Sequence, residues 1–282
     1  MKGWGHQMDA ARVLEEAASL GLPALESGPE GFLSKDPVEA SRMLEGYDLG
    51  LVGGFVPVVL HWREAREDAL SSVERQAGFL AAAGAEVLIL AADAGGDGYE
   101  ENVELDDAGW GVLFEGLSMA EEIGVRYGLT VAVHPHFGTA IERPHHVRRF
   151  LEGCETGLCL DTGHLVVGGD DPVRVAELAA GRVRVVHLKD ADRLLADLVA
   201  AGKVGFEDAV SRGVFKALGD GDADIERVIG LLEESGYGGW YVLEQDIMLD
   251  DEPERGKGPV EDVRKSLEFA KGVLGGGRGG GA

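Results

Sequence analysis

The chain has 282 residues, 45% of them hydrophobic and 27% charged, with a formal net charge of −25. This length buries a sizeable core without staples, and two cysteines, Cys154 and Cys159, are too few for a disulfide framework. The acidity argues against nucleic acid and anionic membrane surfaces as partners, because Lys and Arg supply most of the affinity for phosphate-bearing surfaces; its plainest role is solubility. No apolar run approaches the ~18 residues of a membrane span. No N-terminal segment has the charged-then-apolar form of a signal peptide, so a cytoplasmic protein is expected.

Met1 to Met8 reads as a loop, and Ala10 to Leu20 follows helical spacing up to Gly21. Leu22 to Leu25 is a short apolar run ending in Glu26. Asp36 caps a helix across Val38 to Leu44, with Pro37 in its first turn. Leu49 to Val52 reads as a strand that breaks at Gly53-Gly54. A helix from Trp62 to Ala83 leads to the apolar strand Glu86 to Ala92, which ends at Asp93. Further units are a helix from Asp107 to Tyr127, a strand from Leu129 to Val133 and a helix beginning near Pro144. The strand Leu158 to Leu160, the helix Pro172 to Ala180 and the strand Val183 to Val186 continue the alternation. Ala191 to Val214 reads as mostly helical and is followed by a turn-rich loop, Leu218 to Asp222. The helix Ile225 to Glu234, the strand Trp240 to Leu243 and a helix from Pro259 to Val273 complete the pattern. Cys159, inside an apolar run, reads as a small buried hydrophobe.

Alternating strands and helices imply a parallel sheet with helices outside, and the spacing suits a (β/α)8 TIM barrel of the α/β class. Seven strands are visible; the first would stand upstream of Gly3, so either that strand is missing or the barrel is open at one seam. No linker interrupts the alternation. Residues 1–274 therefore form a single domain, and 275–282, nearly all glycine, a disordered tail.

Consecutive strands end in His134, Asp161, His187 and Glu244. Neighbouring strand ends ring one opening in a barrel, so these groups meet despite their separation in sequence. Each alone is an ordinary hydrogen-bonding residue; four in succession are hard to obtain by accident. Mixed imidazole and carboxylate donors suit a divalent metal: Mn, Co, Fe, Zn or, less well, Mg. Glu142 is a fifth candidate ligand, with support of the helix N-terminus as its alternative role. His136 and His164 are candidate acid/base groups. Lys189 is placed to stabilise a developing negative charge or to pair with Asp190. Glu26 and Asp190 are candidates for substrate hydroxyls. Gly219 to Asp222 is a tight turn or, without a nearby lysine, a weaker phosphate cradle. His145 and His146 read as a solvated helix face, Val147, Phe150 and Leu151 as its core, and Trp62 as packing near the mouth.

Leu160-Asp161-Thr162-Gly163-His164, Val186-His187-Leu188-Lys189-Asp190, the Gly219-Asp220-Gly221-Asp222 loop and Gly239-Trp240-Tyr241-Val242-Leu243-Glu244 occur in that order. Together they resemble the xylose isomerase-like barrels that include sugar phosphate isomerases and epimerases. His134-Pro135-His136-Phe137-Gly138-Thr139 is similar to the inosose dehydratase branch. The resemblance spans Gly3 to about Leu274 and is most specific in the C-terminal half. It implies a divalent metal held by Asp161, His187 and Glu244. The superfamily's strand-five glutamate is replaced here, so the fourth ligand is either His134 or Glu142. It also implies a small sugar or cyclitol substrate, deprotonated next to a carbonyl and then isomerised, epimerised or dehydrated. A non-catalytic sugar-binding barrel and an abasic-site endonuclease are the alternatives, the latter opposed by the charge. A homo-oligomer is compatible with the sequence.

Overall fold

The computed structural model describes residues 5–96, 98, 103–179 and 181–276. In chain order the first elements are α1 (Ala10–Ser19), β1 (Ala24–Leu25), α2 (Pro37–Glu45), β2 (Gly50–Leu51), β3 (Gly53–Val58), α3 (Arg66–Ala82) and β4 (Val87–Ala92). Next come α4 (Asp107–Arg126), β5 (Thr130–Val133), α5 (Pro144–Gly153), β6 (Gly157–Asp161), α6 (Thr162–Val167), α7 (Pro172–Leu178) and β7 (Val183–Leu188). The last are β8 (Asp190–Ala191), α8 (Arg193–Ala200), α9 (Phe206–Ser211), β9 (Phe215–Lys216), α10 (Ile225–Glu234), β10 (Trp240–Leu243) and α11 (Pro259–Gly276).

Six strands form a parallel sheet in the order β10-β7-β6-β5-β4-β3. The β1–β2 pair continues it: the Val52 N–H donates to Leu25 O at 2.9 Å, and the Ser27 N–H to Gly53 O at 2.9 Å. Every strand expected from the sequence is present. No strand covers the outer edge of β10 or of β1 among the described residues, so the seam expected there is open. The sheet curls enough to bring its ends together, since Glu26, just past β1, reaches His187 on β7 at 2.8 Å. Near the seam Arg12 of α1 pairs with Glu252 and donates to Glu254 O at 2.9 Å, strapping the first helix to the segment after β10.

The two-residue strand period sorts side chains into two cores. Leu88, Leu90, Val131, Val133, Leu158, Leu160, Val186 and Leu188 belong to the larger outer core shared with the helices. Val87, Ile89, Ala132, Cys159 and Val185 fill the barrel interior with Phe55, Trp240 and Val242. His134, Asp161, His187 and Glu244 each stand two positions beyond one of these interior residues. They therefore form the next layer up the same bore, at the C-terminal mouth.

The structure corrects several boundaries. Gly53 and Gly54 do not break a strand; both lie within β3. A Cβ on Gly53 would sit 2.5 Å from Val87 O, and one on Gly54 2.5 Å from Ser27 Oγ, so close approach rather than a turn selects glycine. The helix read from Trp62 begins with a 3-10 turn, Arg63–Ala65. The stretch 191–214 is two short helices, framed by β8 and β9, which pair antiparallel. His146 is buried rather than solvated: its Nδ1 accepts the Arg143 N–H at 3.2 Å and so caps α5. Gly275 and Gly276 belong to α11; the rest of the glycine tail, like Ala180, lies outside the described residues.

Candidate active site

The mouth is built from the exits of β5, β6, β7 and β10. The His134 N–H donates to Leu90 O at 2.8 Å, which continues the ladder one residue past β5 and aims the ring into the bore. Its Nε2 lies 3.1 Å from Asp161 Oδ2. Asp161 ends β6 and caps α6, its Oδ1 accepting the His164 N–H at 2.7 Å. This local bond fixes the carboxylate and leaves Oδ2 to the cluster. His187 lies between two acids, with Nε2 2.8 Å from Glu26 Oε1 and Nδ1 2.8 Å from Glu244 Oε1.

Lys189 is only 1% exposed. Its ammonium is 2.5 Å from Glu244 Oε2, 2.7 Å from Asp246 Oδ2 and 3.4 Å from Asp161 Oδ2. Its stem passes over Gly163, where a Cβ would stand 2.6 Å from Lys189 Cγ. Thr162 Oγ1 donates to Lys189 O at 2.7 Å, holding the exit of β7 against α6.

Charge follows this geometry. Burial works against the Lys189 ammonium, but Asp161, Asp246 and Glu244 outweigh it and hold the pKa well above the usual lysine value. Burial likewise opposes charge on Asp161, and Lys189 and the neighbouring histidines hold its carboxyl well below the carboxylate range. Glu244 is lowered against its own burial by His187 and Lys189. His187 is raised despite burial by Cys159, Glu244 and Glu26. Even with Lys189 and His187 both protonated, the carboxylates of Glu26, Asp161, Glu244 and Asp246 leave the cluster with excess negative charge.

His136 and His164 pack against each other beside it, ring centroids 3.8 Å apart and planes tilted by 35°. Burial, His134 and Lys189 push His136 down to about 3. Burial, His136 and Lys189 push His164 well below the usual histidine value. Both rings are therefore neutral near pH 7, and their partners set opposite tautomers. His136 Nδ1–H donates to Phe137 O at 2.7 Å, which leaves the lone pair on Nε2. His164 Nδ1 accepts the Phe137 N–H at 3.4 Å, which leaves the proton on Nε2.

The expected residues do not all converge. Asp161, His187, Glu244, His134, Lys189 and Glu26 form one connected cluster, with His136 and His164 against it. Glu142 is engaged elsewhere: its Oε2 accepts the Gly138 N–H at 2.8 Å and its Oε1 lies 2.6 Å from Arg143 Nε. It serves the loop before α5. Asp190, expected at substrate hydroxyls, accepts backbone N–H groups from Ala191, Gly219, Gly221 and Ala223 at 2.9–3.0 Å. Four donors saturate a carboxylate, so Asp190 is a loop anchor, and the same donors are closed to a phosphate. The sequence reading passed over Asp246, two residues beyond Glu244 on the same exit. It also passed over His61, buried at the mouth after β3, whose Nδ1 has no hydrogen-bond partner among the described residues.

The donor set fits a divalent cation. Besides the excess negative charge, His134 Nδ1 is buried without a hydrogen-bond partner among the described residues. Two trios, Glu26–His187–Glu244 and His134–Cys159–His187, each bring one donor atom per residue within 4.8 Å of one another.

The chain is 32% identical over 254 residues to an inosose dehydratase of Geobacillus kaustophilus, a match covering 86% of this chain and 82% of that one. Its fold is similar to that of the 3-keto-D-glucoside 4-epimerase YcjR from E. coli, with TM-score 0.68, 16% identity, and 96% and 97% of the two chains covered. It is similar also to the IolI protein with a bound zinc atom, with TM-score 0.68, 14% identity, and 95% and 96% covered. No helix of the described chain is long and apolar enough to cross a membrane. The model of the xylose isomerase-like TIM barrel family matches residues 14–272, and with the barrel and its mouth described above the chain belongs to that family.

Proposed function

We propose that the protein is a metal-dependent lyase that dehydrates a keto-cyclitol or keto-sugar, with an inosose as the substrate class. The observation that carries this reading is the contacting His136–His164 pair in opposite tautomers beside the buried Lys189–carboxylate cluster. The 32% identical relative is named for the same reaction.

Asp161, His187 and Glu244, with His134, would hold a divalent cation, which when bound polarises the substrate's carbonyl and neighbouring hydroxyl oxygens. His136 Nε2 accepts the proton from the carbon next to the carbonyl. Being a weak base in its buried setting, it needs that carbon acidified, and the Lys189 ammonium supplies positive charge where the oxygen becomes negative. His164 Nε2–H donates a hydrogen bond to the same oxygen without losing its proton, as a neutral imidazole can. The carbanion's electron pair then forms the C=C bond and breaks the bond to the β-hydroxyl. His136 returns its proton to that oxygen, water leaves, and both imidazoles regain their starting forms. Glu26 hydrogen-bonds a further substrate hydroxyl. The excess negative charge at the site and the net −25 of the chain oppose a DNA substrate.

Purified protein loaded with Mn, Co or Zn should convert an inosose to an absorbing enone, lose this activity in chelator and recover it on reloading. Asp161→Ala should lose both bound metal and turnover. Full activity in chelator, or epimers without an enone, would overturn the proposal.

A further inference from the structure

His134 just past β5, Cys159 on β6 and His187 on β7 come from three adjacent strands, with the thiol in the middle. Cys159 points into the bore one interior position below Asp161, and it is fully buried. One donor atom from each residue lies within 4.8 Å of the other two. Within the trio, His134 Nδ1 has no hydrogen-bond partner among the described residues. Above this trio, Lys189 occupies oxygens of Asp161 and Glu244. The cluster is therefore two-tiered, with carboxylates and the Lys189 ammonium towards solvent and nitrogen and sulfur donors beneath.

The geometry points to Cys159 as a metal ligand. With His134 and His187 it completes a face of two imidazole nitrogens and one thiolate sulfur, which favours zinc, cobalt and softer cations over magnesium and manganese. The inference rests on the divalent-metal reading above and adds to it a sulfur ligand from β6, beside His134 and His187. The ordinary role of a buried cysteine is packing, and Val87, Ile89, Ala132 and Val185 do surround Cys159 in the interior core. Packing alone does not account for two imidazoles converging on the thiol, one with an unused buried nitrogen. Thiolate and imidazole donors suit borderline and soft metals, whereas magnesium and manganese prefer carboxylate, carbonyl and water. On binding, the Cys159 S–H bond breaks, the S–metal bond forms, and the proton leaves to solvent through the mouth.

X-ray absorption on the zinc-loaded full chain should show a sulfur scatterer at ~2.3 Å beside lighter atoms near ~2.0–2.1 Å. The cobalt(II) form should show a thiolate-to-cobalt charge-transfer band, lost in both Cys159→Ser and Cys159→Ala. Zinc affinity should fall by about tenfold or more in these variants with manganese affinity little changed. The measurement on unaltered protein does not depend on how the variants fold. A bound metal with only nitrogen and oxygen neighbours would overturn the role of Cys159 while leaving the metal-dependent reading intact. Failure of the unaltered protein to bind zinc, cobalt or manganese would overturn both.

Discussion

His136 carries two consequences that separate it from its neighbours. As the group that takes and returns the proton, its replacement in His136→Gln should lower kcat by about a hundred- to ten-thousandfold with KM little changed. Steady-state kinetics on the metal-loaded protein measures this, and a change confined to KM would remove His136 from the proton path. The second consequence is for stability. Folded His136 stays neutral down to about 3, whereas an unfolded histidine takes its proton near ~6.5. Between these values the unfolded chain binds more protons, so stability falls as pH drops through the window, and His164 contributes in the same direction. His187, raised in the folded state, acts oppositely: its contribution is present below ~6.5 and fades as pH rises through its folded value. Urea midpoints of the metal-free protein should peak near pH ~6.5, and His136→Gln should flatten the acid limb. An acid limb unchanged by the substitution would show that His136 does not feel its burial.

Among the elements, the loop from Leu218 to Ala223 shows how one carboxylate organises a rim of the mouth. Asp190 gathers the Gly219, Gly221 and Ala223 N–H groups, and the Leu218 N–H donates to Ser266 Oγ of α11 at 3.0 Å. A Cβ on Gly221 would stand 2.3 Å from Asp190 Oδ1, so the glycine lets the backbone approach the acid. Asp190→Asn replaces an acceptor with an amide NH2 facing N–H donors, and should destabilise the protein by about 1–3 kcal/mol. Urea unfolding gives the cost, and hydrogen exchange should localise the loosening to residues 218–223. Wild-type protection there would mean that the loop holds its shape without the anchor.

At the scale of the whole molecule, the seam sets where the barrel is soft. Among the described residues, β4, β5 and β6 each pair with strands on both sides, whereas β10 pairs only with β7. The side chains of β10 are half-buried, against fully buried β4 and β6. Local opening costs least where contacts are fewest, so β10 and β1 amides should exchange at lower free energies than those of β4–β6. Uniform protection across all strands would show that the seam is closed in solution. The open edge lies beside Glu244, one of the residues that would hold a cation, so the metal-loaded protein should show higher protection at the seam than the metal-free protein.

Much of this was legible in the residues. Apolar runs ending in His134, Asp161, His187 and Glu244 marked strands, their direction and a shared mouth, because a parallel barrel puts every strand's C-terminal end on one side. Local chemistry likewise marked Asp36 as a helix cap, and its carboxylate accepts the Val38 N–H at 2.8 Å. Properties that depend on contacts distant in the chain were not legible. Gly53-Gly54 reads as a break until β4 and Ser27 are seen to press on it. His146 reads as solvated until its ring folds back over the start of α5. Asp190 reads as a substrate group until the loop some thirty residues on closes over it. Glu142 and His134 were equal candidates by type, and only the fold turns one to the outer loop and the other to the bore. Sequence alone determined the barrel, its polar end and the residue types gathered there, because strand period and strand direction are local properties. Tertiary structure decided the charge and tautomer of each group, and which acids face the bore and which pin loops, because these depend on burial and on partners supplied by other strands.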